Sequence, residues 1–513
     1  MAITKVTSEV LNSAALTSKA FGTSSIMIGN DATGTIDAAN YNTGVGVRVF
    51  GALTTGDNNV AVGYQTLYAN TTGTQNVAVG MNALRDNTTA SNNTAVGLNS
   101  LLVNTTGENN TAFGFNSLVA NTTANYNVAV GRSALAANTT GTGNTATGYA
   151  ALDANTTASY GTGIGYSALG ANTTGADNTA VGGLSLDSNT TGAQNVGLGV
   201  HALGANTTAS YNTAVGYQAL YANTTGTQNT AIGSNALDAN TTGSYNTSLG
   251  TSSLSANTTA SFNTAVGRVA LQVNTTGASN TGVGYATLQN NTTGANNTAV
   301  GKEALDSNTT ASNNTAVGTS ALGANTTGTQ NVAVGTYSLD ANTSADDNVA
   351  LGYAALTDNQ TGAQNVAVGA FALADSTVSN NTAVGHQALK VTTTGSTNTA
   401  MGLNSMVANT TGTQNVAYGA NSLDANTTGN YNTALGRSAL GASTTAANNV
   451  AVGYVALLGN TTGAQCTAVG AYALDANTTA TYNTAIGYNA MSANTTGGDN
   501  TAVGGLALDA NTT

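Results

Sequence analysis

Proline is absent from all 513 residues, and so is tryptophan. A chain that keeps a backbone N–H at every position can feed an unbroken ladder of main-chain hydrogen bonds. Cys466 is the only cysteine, which excludes an intrachain disulfide. The only histidines, His201 and His386, lie far apart in sequence and read as surface residues, not as a catalytic pair or metal site. Lys and Arg number 9 against 21 Asp and Glu, a formal charge of −12. The basic residues, such as Arg85, Arg132, Arg268, Lys302 and Arg437, are scattered, so no stripe exists for a phosphate backbone and no nucleic-acid partner is expected. No apolar run approaches a membrane span, and the first residues lack a basic start, long apolar core and cleavage site, so neither membrane insertion nor a secretory signal is expected. Gly-rich runs such as Gly216-Tyr-Gln-Ala-Leu220 carry no phosphate-cradling Lys. Neither an enzyme nor a cofactor is expected.

What is present is one stretch, over and over. Asn212-Thr-Ala-Val-Gly-Tyr-Gln-Ala-Leu-Tyr-Ala-Asn-Thr-Thr-Gly-Thr-Gln228 is 17 residues long, and Asn229 starts it again. The period runs through the chain with one 16-residue copy, from Asn365 to Asn381, and counting a worn first copy at Ser25 there are 29. A fixed short period marks a repeat architecture. With the slots numbered from Asn212, slot 5 is Gly in every copy, including Gly63, Gly97, Gly216, Gly318 and Gly504. That points to a corner needing positive φ or close backbone approach. Slot 4 is mostly β-branched, slot 3 is small after Met27, slot 9 is almost always Leu, and slots 12 to 14 usually read Asn-Thr-Thr.

Two short β-prone runs cut by Gly and Asn-Thr-Thr-Gly exclude a helical stripe. Strict register excludes a disordered low-complexity tract. The repeat fits an all-β fold, a parallel β-solenoid or β-roll of about 29 coils. Stacked coils place Val62 and Val215 of slot 4, and Leu67 and Leu220 of slot 9, in the core. They set Asn212 and Asn229 in one ladder and Asn223 and Asn240 in another. At about 4.8 Å per coil the stack makes a rod roughly 130–140 Å long. So little large apolar surface per coil predicts that several chains bundle in parallel along the rod. Slot 3 either packs inside a narrow coil or lets neighbouring chains approach.

Three domains are expected: residues 1–22 as an N-terminal cap or attachment segment, 23–58 as degenerate first coils, and 59–513 as the regular repeats. Asp153, Asp187, Asp238, Asp306, Asp340, Asp424, Asp475 and Asp509 share slot 10 and read as a solvated, repulsive surface. The Asn-Thr-Thr runs match glycosylation acceptors, though ladder packing explains them better where no secretory signal is found. Tyr recurs in slot 6 (Tyr64, Tyr149, Tyr217, Tyr353) and slot 17 (Tyr126, Tyr160, Tyr211, Tyr245), where exposed rings could stack on sugars or fill corners.

Asn212-Thr-Ala-Val-Gly-Tyr-Gln-Ala-Leu220 resembles the head repeats of YadA-like trimeric adhesins, and more closely the repeat arrays of bacteriophage tail fibres and related virion appendages. The resemblance covers residues 25–513 and implies a trimeric β-roll with a structural or adhesive role. The expected function is a structural fibre on a virion or an extracellular filament, anchored through its N-terminus and spacing or presenting a host-attachment function. The alternative is a binding surface carried by the coils themselves, for a host glycan or receptor or for ice.

Overall fold

A computed structural model describes residues 18–21, 24–29 and 38–513. The chain divides into two units, Met1–Thr259 and Ala260–Thr513. Most of the expected attachment segment, residues 1–22, lies outside the described residues. Its end, Ser18–Phe21, forms strand β1, which pairs antiparallel with β2, Ser25–Ile28. β2 then pairs in parallel with β3, Thr43–Val45, so β1 covers the outer edge of the first parallel strand. Each unit is a parallel β-solenoid, and the described residues contain no helix.

A coil contributes one strand of three residues, slots 2 to 4. Thr213–Val215 pairs with Thr230–Ile232 so that Thr213 meets Thr230, Ala214 meets Ala231 and Val215 meets Ile232. Like lies over like because the pairing shift equals the repeat. The second β-prone run is not a strand. Gln218 and Leu220 sit at φ of 52° and 53°, left-handed positions that recur in slots 7 and 9 of the other coils. Their N–H groups point to opposite neighbours: Gln218 donates to Val200 O at 3.1 Å and Leu220 to Ala236 O at 2.9 Å. A left-handed leucine costs about 1–2 kcal/mol. Complete burial of its side chain, which stabilises by about 1.5–3 kcal/mol, holds it there.

The strand faces the opposite way from the sequence expectation. Ala214 is fully buried, whereas Val62 and Val215 are half-buried on the outer face. A 17-residue perimeter leaves interior room for one leucine per coil and little else, so the alternating strand turns its methyl inward and its branched side chains out. Leu67 and Leu220 are fully buried, as are Ala219 and both asparagines of the coil, Asn212 and Asn223. Slot 3 packs within its own chain. The 16-residue coil, from Asn365, keeps the strand register, with Val366 opposite Thr382. It loses its residue in the Asn-Thr-Thr arm, where Val378 O takes the place of the slot 15 carbonyl and accepts from Asn365 Nδ2 at 2.7 Å.

Candidate functional surfaces

The inner polar groups form a repeating circuit. Asn212 Oδ1 accepts the Asn229 backbone N–H at 3.0 Å, and Asn212 Nδ2 donates to Gly226 O at 2.9 Å across the coil. Asn223 Nδ2 donates to that same carbonyl at 2.9 Å and to Asn206 Oδ1 at 3.0 Å. Asn229 Nδ2 donates to Gly243 O, and Asn240 Nδ2 donates to Gly243 O and to Asn223 Oδ1, one coil on. Both asparagine rows therefore converge on the slot 15 carbonyl, which leaves these buried amides satisfied. Beside them, Thr224 N–H, Thr224 Oγ1 and Thr225 N–H all donate to Thr241 O. A buried, doubly donating Asn223 amide is not presented as a glycosylation acceptor in the folded coil.

Gly63, Gly97, Gly216 and Gly318 have φ of 137°, 137°, 135° and 136°. A Cβ on Gly216 would lie 2.5 Å from Gly233 O and 2.7 Å from its carbon. Conformation and space both demand glycine there. Gly504, in the last coil, keeps a φ of 129°, but its nearest atom to an added Cβ is 4.0 Å away. The crowding is therefore made by the following coil. Slot 15 differs. An ideal Cβ on Gly226 would also meet a carbonyl, Gly243 O, at 2.2 Å, yet alanine fills this slot at Ala209, Ala311 and Ala446. Its φ is not left-handed, so a small shift admits the methyl.

The slot 10 carboxylates are less solvated than the sequence suggests. Asp153, Asp187, Asp238, Asp306, Asp340, Asp424 and Asp475 are half-buried, and burial pushes each carboxyl above its ordinary value. Cys466 is buried in slot 1. Its N–H donates to Asn449 Oδ1 at 2.9 Å, its thiol to Ala480 O at 3.4 Å, and burial raises its pKa. His201 and His386 each meet an aromatic ring edge-on, Tyr221 at 5.7 Å and Phe371 at 6.2 Å. Among the described residues no cluster of His, Cys, Asp or Glu could hold a metal ion, and no helix is long and apolar enough to cross a membrane.

Outside the circuit, rings from successive coils form rows along slots 6 and 7. Tyr149 stacks on Tyr166 at 5.5 Å, and Arg132 lies 5.6 Å from both Phe115 and Tyr149. Tyr337, Tyr353, Phe371 and His386 make a second row, with Lys390 over Phe371 at 5.9 Å. Tyr454, Tyr472 and Tyr488 make a third, with Arg437 over Tyr454. Sequence reading singled out Tyr in slots 6 and 17 but missed these rows. The available signal was a ring in slot 6 or 7 of one coil next to one in slot 6 or 7 of its neighbour. The slot 17 rings of Tyr126, Tyr160, Tyr211 and Tyr245 are exposed. Comparison with known proteins gives no match, either to a family model or to a curated protein.

Proposed function

We propose that this chain is a structural fibre protein, on a virion or in an extracellular filament, that spaces or presents a host-attachment function. The observation that carries this reading is the identity of the bonding from coil to coil within each unit. The same asparagine circuit and the same glycine corner recur, and local stability is then nearly a sum of equal nearest-neighbour terms. Such a chain extends without changing its surface, which suits a spacer. Immunogold electron microscopy of the native source tests it. Gold along filaments or particle appendages is the expected result, and gold confined to the cell interior would overturn it.

We also propose that three copies associate in parallel register. Since slot 3 lies inside the coil, the surface available for association is the outward strand face, where slots 2 and 4 present only Thr, Val and other uncharged residues. Sedimentation of the purified chain should give three times the 50.1 kDa mass, and Val215→Lys with Val266→Lys should dissociate it. A folded monomer of the unaltered chain at micromolar concentration would contradict the trimer while leaving the fibre reading to the microscopy.

A further inference from the structure

We propose that the second unit has a built-in hinge: the Asn-Thr-Thr arm opens around the 16-residue coil while the strand side of the same coils stays closed. Elsewhere the slot 13 N–H donates to the slot 13 carbonyl of the next coil, as Thr326 does to Thr343 O at 2.9 Å and Thr393 to Thr410 O at 3.0 Å. Among the described residues two successive steps lack this bond, since neither the Gln360 nor the Thr377 N–H donates to the next coil. The asparagine ladder fails over the same span. Asn342 Nδ2 donates to Asn325 Oδ1 at 2.8 Å, and Asn426 Nδ2 to Asn409 Oδ1 at 2.7 Å. Between these rungs Asn342 Oδ1 and Asn359 Oδ1 turn back to the Ala345 and Gly362 N–H groups of their own arms. Ser376 Oγ has no partner, and Thr392 Oγ1 donates to Leu389 O of its own coil.

The cause is length. The short coil lacks one arm residue, and the Ser376 and Thr392 side chains end at Oγ, short of an asparagine amide, while the next coil lies about 4.8 Å away. A broken ladder alone does not untie the arm. At Ser443 the ladder also stops, yet Thr444 N–H still donates to Thr461 O at 3.0 Å. On the strand side the ties hold. Val366 lies opposite Val349 and Thr382, and Asn348 Oδ1 and Asn365 Oδ1 accept the Asn365 and Asn381 N–H groups at 3.0 and 2.9 Å. Slot 11 holds as well, with Asp358 N–H on Ala374 O at 2.9 Å and Asp375 N–H on Lys390 O at 2.8 Å. Opening is therefore confined to the arm, where Gln360, Thr377 and Thr393 are exposed and Val378 is half-buried between the buried Gly362 and Gly395. A segment opens most easily where the fewest bonds tie it. The hinge stands apart from the fibre reading, since a stack of these coils would give here whatever it carries.

Hydrogen exchange of the full chain under native conditions, read by mass spectrometry, tests the hinge. Amides of residues 359–362 and 376–378 should exchange about tenfold or more faster than those of the arms at 308–311 and 325–328. The strand Val366–Val368 should stay as protected as the strands of other coils. Thermolysin, which cuts before apolar residues, should nick the folded chain first between Thr377 and Val378. A repaired variant, with Ser376→Asn, Thr392→Asn and one threonine inserted after Thr377, should bring exchange in this arm down to the level of the others. The hinge is overturned if the parent arm exchanges no faster than its neighbours, if Val366–Val368 exchanges along with it, or if the repaired arm still exchanges as fast as the parent. The first two results are read on the unaltered chain, so the test does not rest on how well the repaired variant folds.

Discussion

The two sides of a coil tolerate change very differently. On the side of slots 1 to 5, glycine never varies in slot 5, and after the worn first copy asparagine gives way in slot 1 only at Gly161 and Cys466. On the side of slots 12 to 15, Leu53, Ser376, Thr392 and Ser443 replace asparagine, slot 15 alternates between Gly and Ala, and the short coil loses its residue there. The bonding explains the difference. Asn212 Oδ1 is the acceptor that a backbone N–H of the next coil relies on. Gly226 O, by contrast, is shared by two asparagine amides, and Thr241 O by three donors. Where Ser376 replaces asparagine, Asn359 Oδ1 takes the Gly362 N–H instead. A side-chain oxygen that a buried backbone N–H depends on fixes its residue type, and a side-chain donor to an already shared carbonyl can drift.

The largest expected effect sets one glycine against another. Gly216→Val should lower the melting temperature sharply, by an amount equivalent to several kcal/mol, because it adds backbone strain to a clash with Gly233. Gly226→Ala should be within about 0.5 kcal/mol of neutral, as at the natural alanines of slot 15. Equal losses on thermal denaturation would erase the distinction between the sides.

Next come the asparagines. Asn212→Ala removes the acceptor of a buried backbone N–H and should cost about 2–3 kcal/mol, while Asn223→Ala should cost nearer 1 kcal/mol because Gly226 O keeps its other donor. Chemical denaturation of the two variants orders them, and a reversed order would contradict the account.

Smaller gains should come from mending the broken rungs. Ser443 Oγ and Asn426 Oδ1 both lack partners. Ser443→Asn supplies an amide for Asn426 Oδ1 and for the slot 15 carbonyl, Ala446 O, and should stabilise by about 1 kcal/mol. Cys466→Asn replaces the sulfur facing the Asn483 N–H with a stronger acceptor and should be neutral to mildly stabilising. A clear drop in melting temperature in either variant would show that the rung is not what those positions lack.

Much of this was legible in the sequence because the repeat samples each slot 29 times. Period, strand position, parallel register, the slot 5 corner and the buried leucine all follow from residue types that hardly vary. The inward face did not. Slots 2 and 4 are apolar and slot 3 is a methyl, so hydrophobicity alone places Val62 and Val215 inside, whereas the narrow interior admits only alanine. Left-handed leucine was equally hidden, since leucine avoids that conformation and only the coil-to-coil bonding of Leu220 enforces it.

The smallest effect concerns pH. The half-buried slot 10 carboxyls have folded pKa values raised above the ordinary 3.8. The folded chain then holds more protons than the unfolded one, so their contribution is full below 3.8 and is lost as pH rises through the folded values. The melting temperature should therefore rise modestly as neutral solution is acidified toward the carboxylate range, with solvent screening keeping the change small. Asp238→Asn with Asp306→Asn should flatten the rise. A melting temperature that falls over this range would contradict the burial of these groups.

The central claim is that the slot 1 side chain holds the backbone of the next coil, and amide hydrogen exchange at Asn229 reads it directly. The Asn229 N–H should lose protection in Asn212→Ala and keep it in Asn223→Ala, both measured under conditions where the chain stays folded. Equal protection of Asn229 in the two variants would contradict the account.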